Sequence, residues 1–235
     1  MRQLSSEQKR RARESLTGHF GLAMSAFLTV NLLVFLLNIP FQPSTENPDR
    51  FQMLIFFLSS FIISLLSVVL NSGILYIHLQ FARKKDARPA DVFRFFGERP
   101  DRFLLTGLFL TLLYIIAALP AIGCGILAFY TETIAAWLLF AAVLILTAVL
   151  ECFVGLTFDL IYFLLIDRPD ERVPALLKEC KKLMNGHKLQ KLYIDLSFLG
   201  LYFIAILSLG IGLLWVIPYK TQTYTEFYRT IIQEA

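Results

Sequence analysis

MLIFFLSSFIISLLSVVLNSGILYI, Met53 to Ile77, contains no charged residue. A run of about 20 apolar residues crosses the hydrocarbon core of a bilayer as a helix. Backbone groups in lipid must be satisfied within the segment, so the run reads as a helix and not a strand. Similar runs lie on both sides. Ala26 to Ile39 is apolar except for Thr29, Asn31 and Asn38, and no charge falls within Phe103–Tyr130, Thr133–Leu150 or Leu196–Tyr219. The period-2 alternation of a membrane barrel is absent. The fold class expected is an all-α polytopic transmembrane bundle forming one integral membrane domain over residues 1–235.

Composition agrees. Of 235 residues, 57% are hydrophobic and 17% charged, against about 25% charged in a soluble domain. The polar stretch 1–18 precedes a long first run with no small-residue cleavage site after it, so that run is read as a retained anchor. Cys124, Cys152 and Cys180 are odd in number, far apart and without CxxC or Cys/His spacing. Buried free thiols are expected, with no disulfide, metal or cofactor.

Charge placement sets the threading. Five of the 22 Lys and Arg lie in residues 1–20, seven in Arg83–Arg102 and seven in Arg168–Lys191. Two poor stretches, Pro40–Arg50 and Phe129–Thr133, alternate with them. Cytoplasmic loops are enriched in Lys and Arg. The N-terminus is therefore expected inside, with spans over about 19–39, 52–81, 103–128, 134–165 and 192–210. Spans two and four exceed the length a bilayer needs. Gly155 and Pro120 are the expected flexures.

The basic segments carry apolar stripes. Pro169-Asp170-Glu171 reads as a helix start, and Val173, Leu176, Leu177, Cys180, Leu183 and Met184 recur at helical spacing up to an Asn185-Gly186 stop. Lys178, Lys181 and Lys182 lie off that stripe. With Lys188 and Lys191 they are the candidate contacts to anionic headgroups at the cytoplasmic face. Between Pro89 and Pro100, Val92, Phe93 and Phe96 are read as an apolar face. Ordinary anchoring charge explains all three basic segments; specific binding of anionic lipid or of a membrane-protein partner is the sharper alternative. Nucleic-acid binding has no support.

The segment Cys180–Lys188, CKKLMNGHK, and the segment Ser197–Tyr228 resemble the C-terminal half of a bacterial integral membrane family catalogued as domain of unknown function 975. The residues that carry the resemblance are Leu183-Met184, Gly186-His187-Lys188, Ser197-Phe198 with Gly200, Gly210-Ile211-Gly212, Pro218-Tyr219 and Phe227-Tyr228. Asp167–Pro169 and Asp91–Gly97 resemble weaker family features. The resemblance implies a bacterial plasma-membrane protein of about six helices and brings no established activity. Leu213 to Ile231 has one apolar face, but Lys220 and Glu226 make it a poor lipid-facing span. A sixth helix over 213–232 that returns the C-terminus inside is preferred because the resemblance implies an even number; the alternative is an amphipathic helix on the outer leaflet.

Ionisable residues within spans are functional candidates by default. Glu151 and Asp159 stand eight residues apart, about 80° around a helix and about 12 Å along it. Asp195 opens the fifth span, and Lys191 or Arg168 could neutralise Asp159 and Asp195. No metalloprotease, serine-hydrolase, Walker or dinucleotide motif occurs. Three functional expectations follow. The first is a non-enzymatic protein that organises lipid or partners. The second is a small transporter or exporter, which requires a polar cavity reaching Glu151. The third is a lipid-modifying enzyme, which requires titratable groups converging at headgroup level.

Overall fold

The computed structural model describes residues 2–43 and 49–234. Thr45, in the loop expected to face outward, lies outside the described residues. The elements are helices joined by turns, with no strand among the described residues. Helix α1 spans Arg2–Leu16 and α2 spans Phe20–Asn38, continued by a 3-10 turn over Ile39–Phe41. Helix α3 covers Arg50–Ala82; a second 3-10 turn, Pro89–Phe93, leads into α4, Arg94–Gly97. Then come α5 (Pro100–Thr131), α6 (Ile134–Phe158), α7 (Ile161–Asp167) and α8 (Val173–Leu183). The chain closes with α9 (Lys188–Ser197), α10 (Leu199–Leu207) and α11 (Leu213–Glu234).

Local chemistry sets the boundaries. Asp49 caps α3 by accepting from the Gln52 amide at 2.7 Å, and Thr133 caps α6 by accepting from Ala136 at 3.3 Å. Pro100 occupies the first turn of α5, where a missing N–H costs nothing. It therefore starts a helix. Pro120 sits within α5 without ending it. The fourth run breaks at Asp159–Leu160, between α6 and α7, and not at Gly155.

Five segments are long and apolar enough to cross a membrane: Phe20–Phe41, Arg50–Ala82, Pro100–Thr131, Ile134–Asp167 and Lys188–Leu207. Their side chains are largely unburied by the protein itself. On α6, Leu138, Ile145, Leu146 and Val149 all face outward, as do Phe51, Phe57 and Ile62 on α3. Hydrocarbon is as apolar as leucine, so lipid-facing helices gain nothing by covering such residues.

The packed core lies at one end of the bundle, where the Lys- and Arg-rich connections gather; we call it the basic end. Leu16, Ala23, Leu70, Ile74, Ile77, Phe81 and Val92 form one cluster. Phe95, Phe103, Leu160, Leu164, Leu176, Cys180, Ile194, Phe198, Phe227 and Tyr228 belong to the other. Gly73 lets the 89–93 turn dock on α3: a Cβ there would stand 2.1 Å from the Val92 carbonyl oxygen. In that turn and the short α4 after it, Val92 and Phe95 are buried, whereas Phe93 and Phe96 are exposed. The expected Val92–Phe93–Phe96 face is thus displaced, because a 3-10 turn changes the angular phase of the helix that follows.

The helix expected from Pro169 begins later, at Val173, with Pro174 in its first turn. The backbone ahead of it is held by arginine. The buried Arg102 guanidinium donates to the carbonyls of Arg168 at 3.1 Å, Pro169 at 2.6 Å and Glu171 at 2.6 Å. The guanidinium thus holds this stretch as a turn ahead of the helix.

Candidate functional site

Two of the three candidate acids meet. Asp159 sits at the α6–α7 break and Asp195 on α9. Lys191, one turn before Asp195 on the same helix, lies 2.7 Å from Asp195 Oδ2 and 3.4 Å from Asp159 Oδ2. From α11, Lys220 approaches Asp195 Oδ1 at 3.0 Å, and the Tyr224 hydroxyl donates to the same oxygen. The Lys191 ammonium also lies 4.3 Å from the centre of the Tyr224 ring. Two acids and two lysines thus form a quartet of zero net charge.

Asp195 is saturated: both of its oxygens are engaged. Among the described residues Asp159 has only its Oδ2 contact with Lys191, and it lines a cavity of about 300 Å³ between α3, α5 and α6. Tyr114 and Tyr162 share that cavity, and Gly155 keeps it open near the Tyr114 hydroxyl. A small hydrogen-bonding group could be held there.

Glu151 is elsewhere. It is half-buried on α6, does not line that cavity, and makes no hydrogen bond or ion pair among the described residues. Lys191, expected at the headgroups, is 7% exposed and committed to the quartet. Lys188 lies 3.6 Å from the centre of the Phe153 ring. Lys178, Lys181 and Lys182 are exposed on α8 and make no ion pair among the described residues. The opposite face of α8 buries Leu176 and Cys180 against the bundle. Burial pushes the Cys180 thiol up to about 12.

A second polar system lies between α1, α3 and α11. His78 Nδ1 meets Gln222 Oε1 at 2.7 Å, the Gln222 amide donates to Glu226 at 3.4 Å, and Ser15 donates to Glu226 at 2.9 Å. Arg229 lies 3.3 Å from Glu226. This leaves His78 Nε2 buried and without a hydrogen-bond partner among the described residues. Next to it, Arg11, Lys84, Lys85 and Arg229 line a cavity of about 560 Å³ at the basic end. Residue-by-residue reading missed Lys220, Tyr224, Gln222 and Glu226. The only trace of them was the polar content of an otherwise apolar C-terminal stripe.

The Arg83 guanidinium lies 2.6 Å from Asp167, which also accepts from the Tyr228 hydroxyl at 2.9 Å. Burial raises the Tyr228 pKa and keeps it the donor. Asp167, from a weaker family feature, and Tyr228, from the segment that carries the resemblance, therefore meet. The chain matches no curated protein and no solved structure. The model of one family, described as Protein of unknown function (DUF975), matches residues 1–235, and the chain belongs to that family.

Proposed function

We propose that the protein is a non-enzymatic membrane-organising protein of the bacterial plasma membrane. Its basic end faces the cytoplasm and binds anionic lipid headgroups. The observation that carries this reading is the state of α8. Its apolar face is buried in the bundle, while Lys178, Lys181 and Lys182 remain exposed and unpaired among the described residues. Each lysine near an anionic surface strengthens attachment by about fivefold. Nanodiscs containing equal parts phosphatidylglycerol and phosphatidylcholine test it, with bound lipid read by native mass spectrometry. The triple variant Lys178→Gln, Lys181→Gln, Lys182→Gln should lose most of its phosphatidylglycerol enrichment. Unchanged enrichment would remove the basis for this reading.

A second reading, a lipid-modifying enzyme, is favoured by the convergence of Asp159, Lys191, Asp195 and Tyr224 beside the 300 Å³ cavity. Charge balance weighs against it. Asp195 is fully engaged, which leaves Asp159 as the one acid with an uncommitted oxygen. The transporter reading has less support, since that cavity reaches Asp159 and not Glu151.

A further inference from the structure

The fifth apolar segment is long enough to cross a bilayer, but its neighbours limit how deep it can go. Helix α11 folds back along α9 and α10. Tyr219 packs on Phe198, Lys220 and Tyr224 meet Asp195, and a Cβ on Gly212 would stand 2.8 Å from Ala205 Cα. The quartet lies at a headgroup layer. Asp159 is 25 residues from Ile134, the far end of α6, or about 37 Å of helix, more than the roughly 30 Å of the hydrocarbon core. Helix α1 fixes the same level a second time. Its Lys9 ammonium donates to the Ser197 carbonyl at 3.2 Å and lies 4.4 Å from the centre of the Phe198 ring. Burial lowers the Lys9 pKa, with Arg13 adding to the effect. Arg10, Arg11 and Arg13, also on α1, are exposed and cannot enter hydrocarbon.

Only the part beyond Phe198 and Tyr219 is free to insert. From Phe198 to Leu207 is nine residues, about 14 Å of helix, or half the core. The tip also lacks the chemistry of a water-exposed loop. The α5–α6 turn carries Glu132 and Thr133, whereas this one exposes Leu207, Leu209 and Ile211. Leu209 is 93% exposed. Ser208 is the only polar side chain of the tip, and its hydroxyl is doubly used, donating to Ala205 O and accepting from Gly212 N. The amides of Leu209, Gly210, Ile211, Leu213 and Leu214 all find carbonyls within the hairpin. Non-helical backbone in hydrocarbon is tolerated only when it is satisfied in this way.

We infer that residues 198–219 form a re-entrant hairpin that ends near the bilayer midplane. Its occupant is the acyl-chain layer of the leaflet on the basic side, where it acts as a wedge in one leaflet. Both ends of the hairpin stay on that side. This deepens the membrane-organising reading and rests on it for the placement of the basic end at headgroups.

The test uses single cysteines in full-length protein with Cys124, Cys152 and Cys180 replaced by alanine. Glu132→Cys and Lys178→Cys report the two aqueous faces to a membrane-impermeant maleimide, before and after permeabilisation. Leu209→Cys, and Ile211→Cys as a second site, should show background labelling under both conditions. A bimane at either position, attached in detergent before reconstitution, should be quenched most by lipids carrying a spin label near the acyl terminus. Labelling at position 209 from the Glu132 side, or from the Lys178 side, would overturn the hairpin, as would strongest quenching at either headgroup layer. Glu132→Cys and Lys178→Cys labelled from one common side would instead overturn the placement of the basic end.

Discussion

The Lys191 ammonium stands between two carboxylates that the sequence keeps 36 residues apart, 2.7 Å from Asp195 and 3.4 Å from Asp159. It ties the α6–α7 break to the base of the C-terminal hairpin. Lys220 completes the quartet from the returning helix.

Removing Lys191 leaves two carboxylates without their shared partner. Breaking a buried pair costs about 3–5 kcal/mol. The low end applies here, because both acids keep partial exposure. Lys191→Met should lower stability by about 3 kcal/mol in detergent thermal unfolding. Lys191→Arg should recover most of that. Equal melting of the methionine variant and the parent would contradict a stabilising role.

Glu151 offers the opposite case. The carboxylate has no hydrogen-bond or ion-pair partner among the described residues and follows the exposed Leu150 on α6. A charged group within a span is costly. Glu151→Leu should raise the melting temperature and leave phosphatidylglycerol enrichment unchanged. A fall in stability would show that the residue serves the fold.

Gly73→Ala should be among the most damaging small substitutions. Its Cβ would meet the Val92 backbone carbonyl at 2.1 Å, and no flexible side chain can yield there. Overpacking of this kind costs about 3 kcal/mol. Chemical denaturation in mixed micelles would measure it. Gly97→Ala, with no atom within 4 Å of the added carbon, is the control expected to stay near parental stability.

The Cys180 thiol is buried and its pKa is raised from 9.0 to about 12. The folded state therefore holds the proton that the unfolded chain loses first. This contribution to stability is complete below pH 9 and is lost as pH rises toward 12. At pH 8, N-ethylmaleimide should leave Cys180 unmodified until the protein is unfolded, as read by peptide mass spectrometry. Rapid modification of the folded protein would show that the α8 face is open.

Threading gives the last prediction. The Lys and Arg distribution predicts Arg88 inside and Glu132 outside. In intact bacteria, impermeant maleimide should label Glu132→Cys and spare Arg88→Cys. The reverse pattern would invert the assigned orientation.

Much of the fold was legible because hydrocarbon imposes a one-dimensional rule. A charge-free run of sufficient length must be helical and must sit in lipid, and Met53–Ile77 satisfies that rule with no knowledge of its neighbours. The amphipathic helix α8 was legible for a similar reason, since its stripe is a local periodicity. The site was not, because no local property of Asp159, Lys191, Asp195, Lys220 or Tyr224 states that α11 folds back on α9. Position near the headgroups offers Lys191 both as a headgroup lysine and as a partner for Asp159 or Asp195, without choosing between them. Only its three-dimensional neighbours turn it into the buried centre of a charge-balanced quartet. The start of α8 and the phase of the 89–97 turn were displaced for the same cause: the Arg102 guanidinium and the close approach at Gly73 are tertiary contacts that outweigh local propensity. Hydropathy along the chain determined which segments belong in a membrane. Where charges are neutralised, and how far the last hairpin is free to sink, depended on contacts between residues remote in sequence.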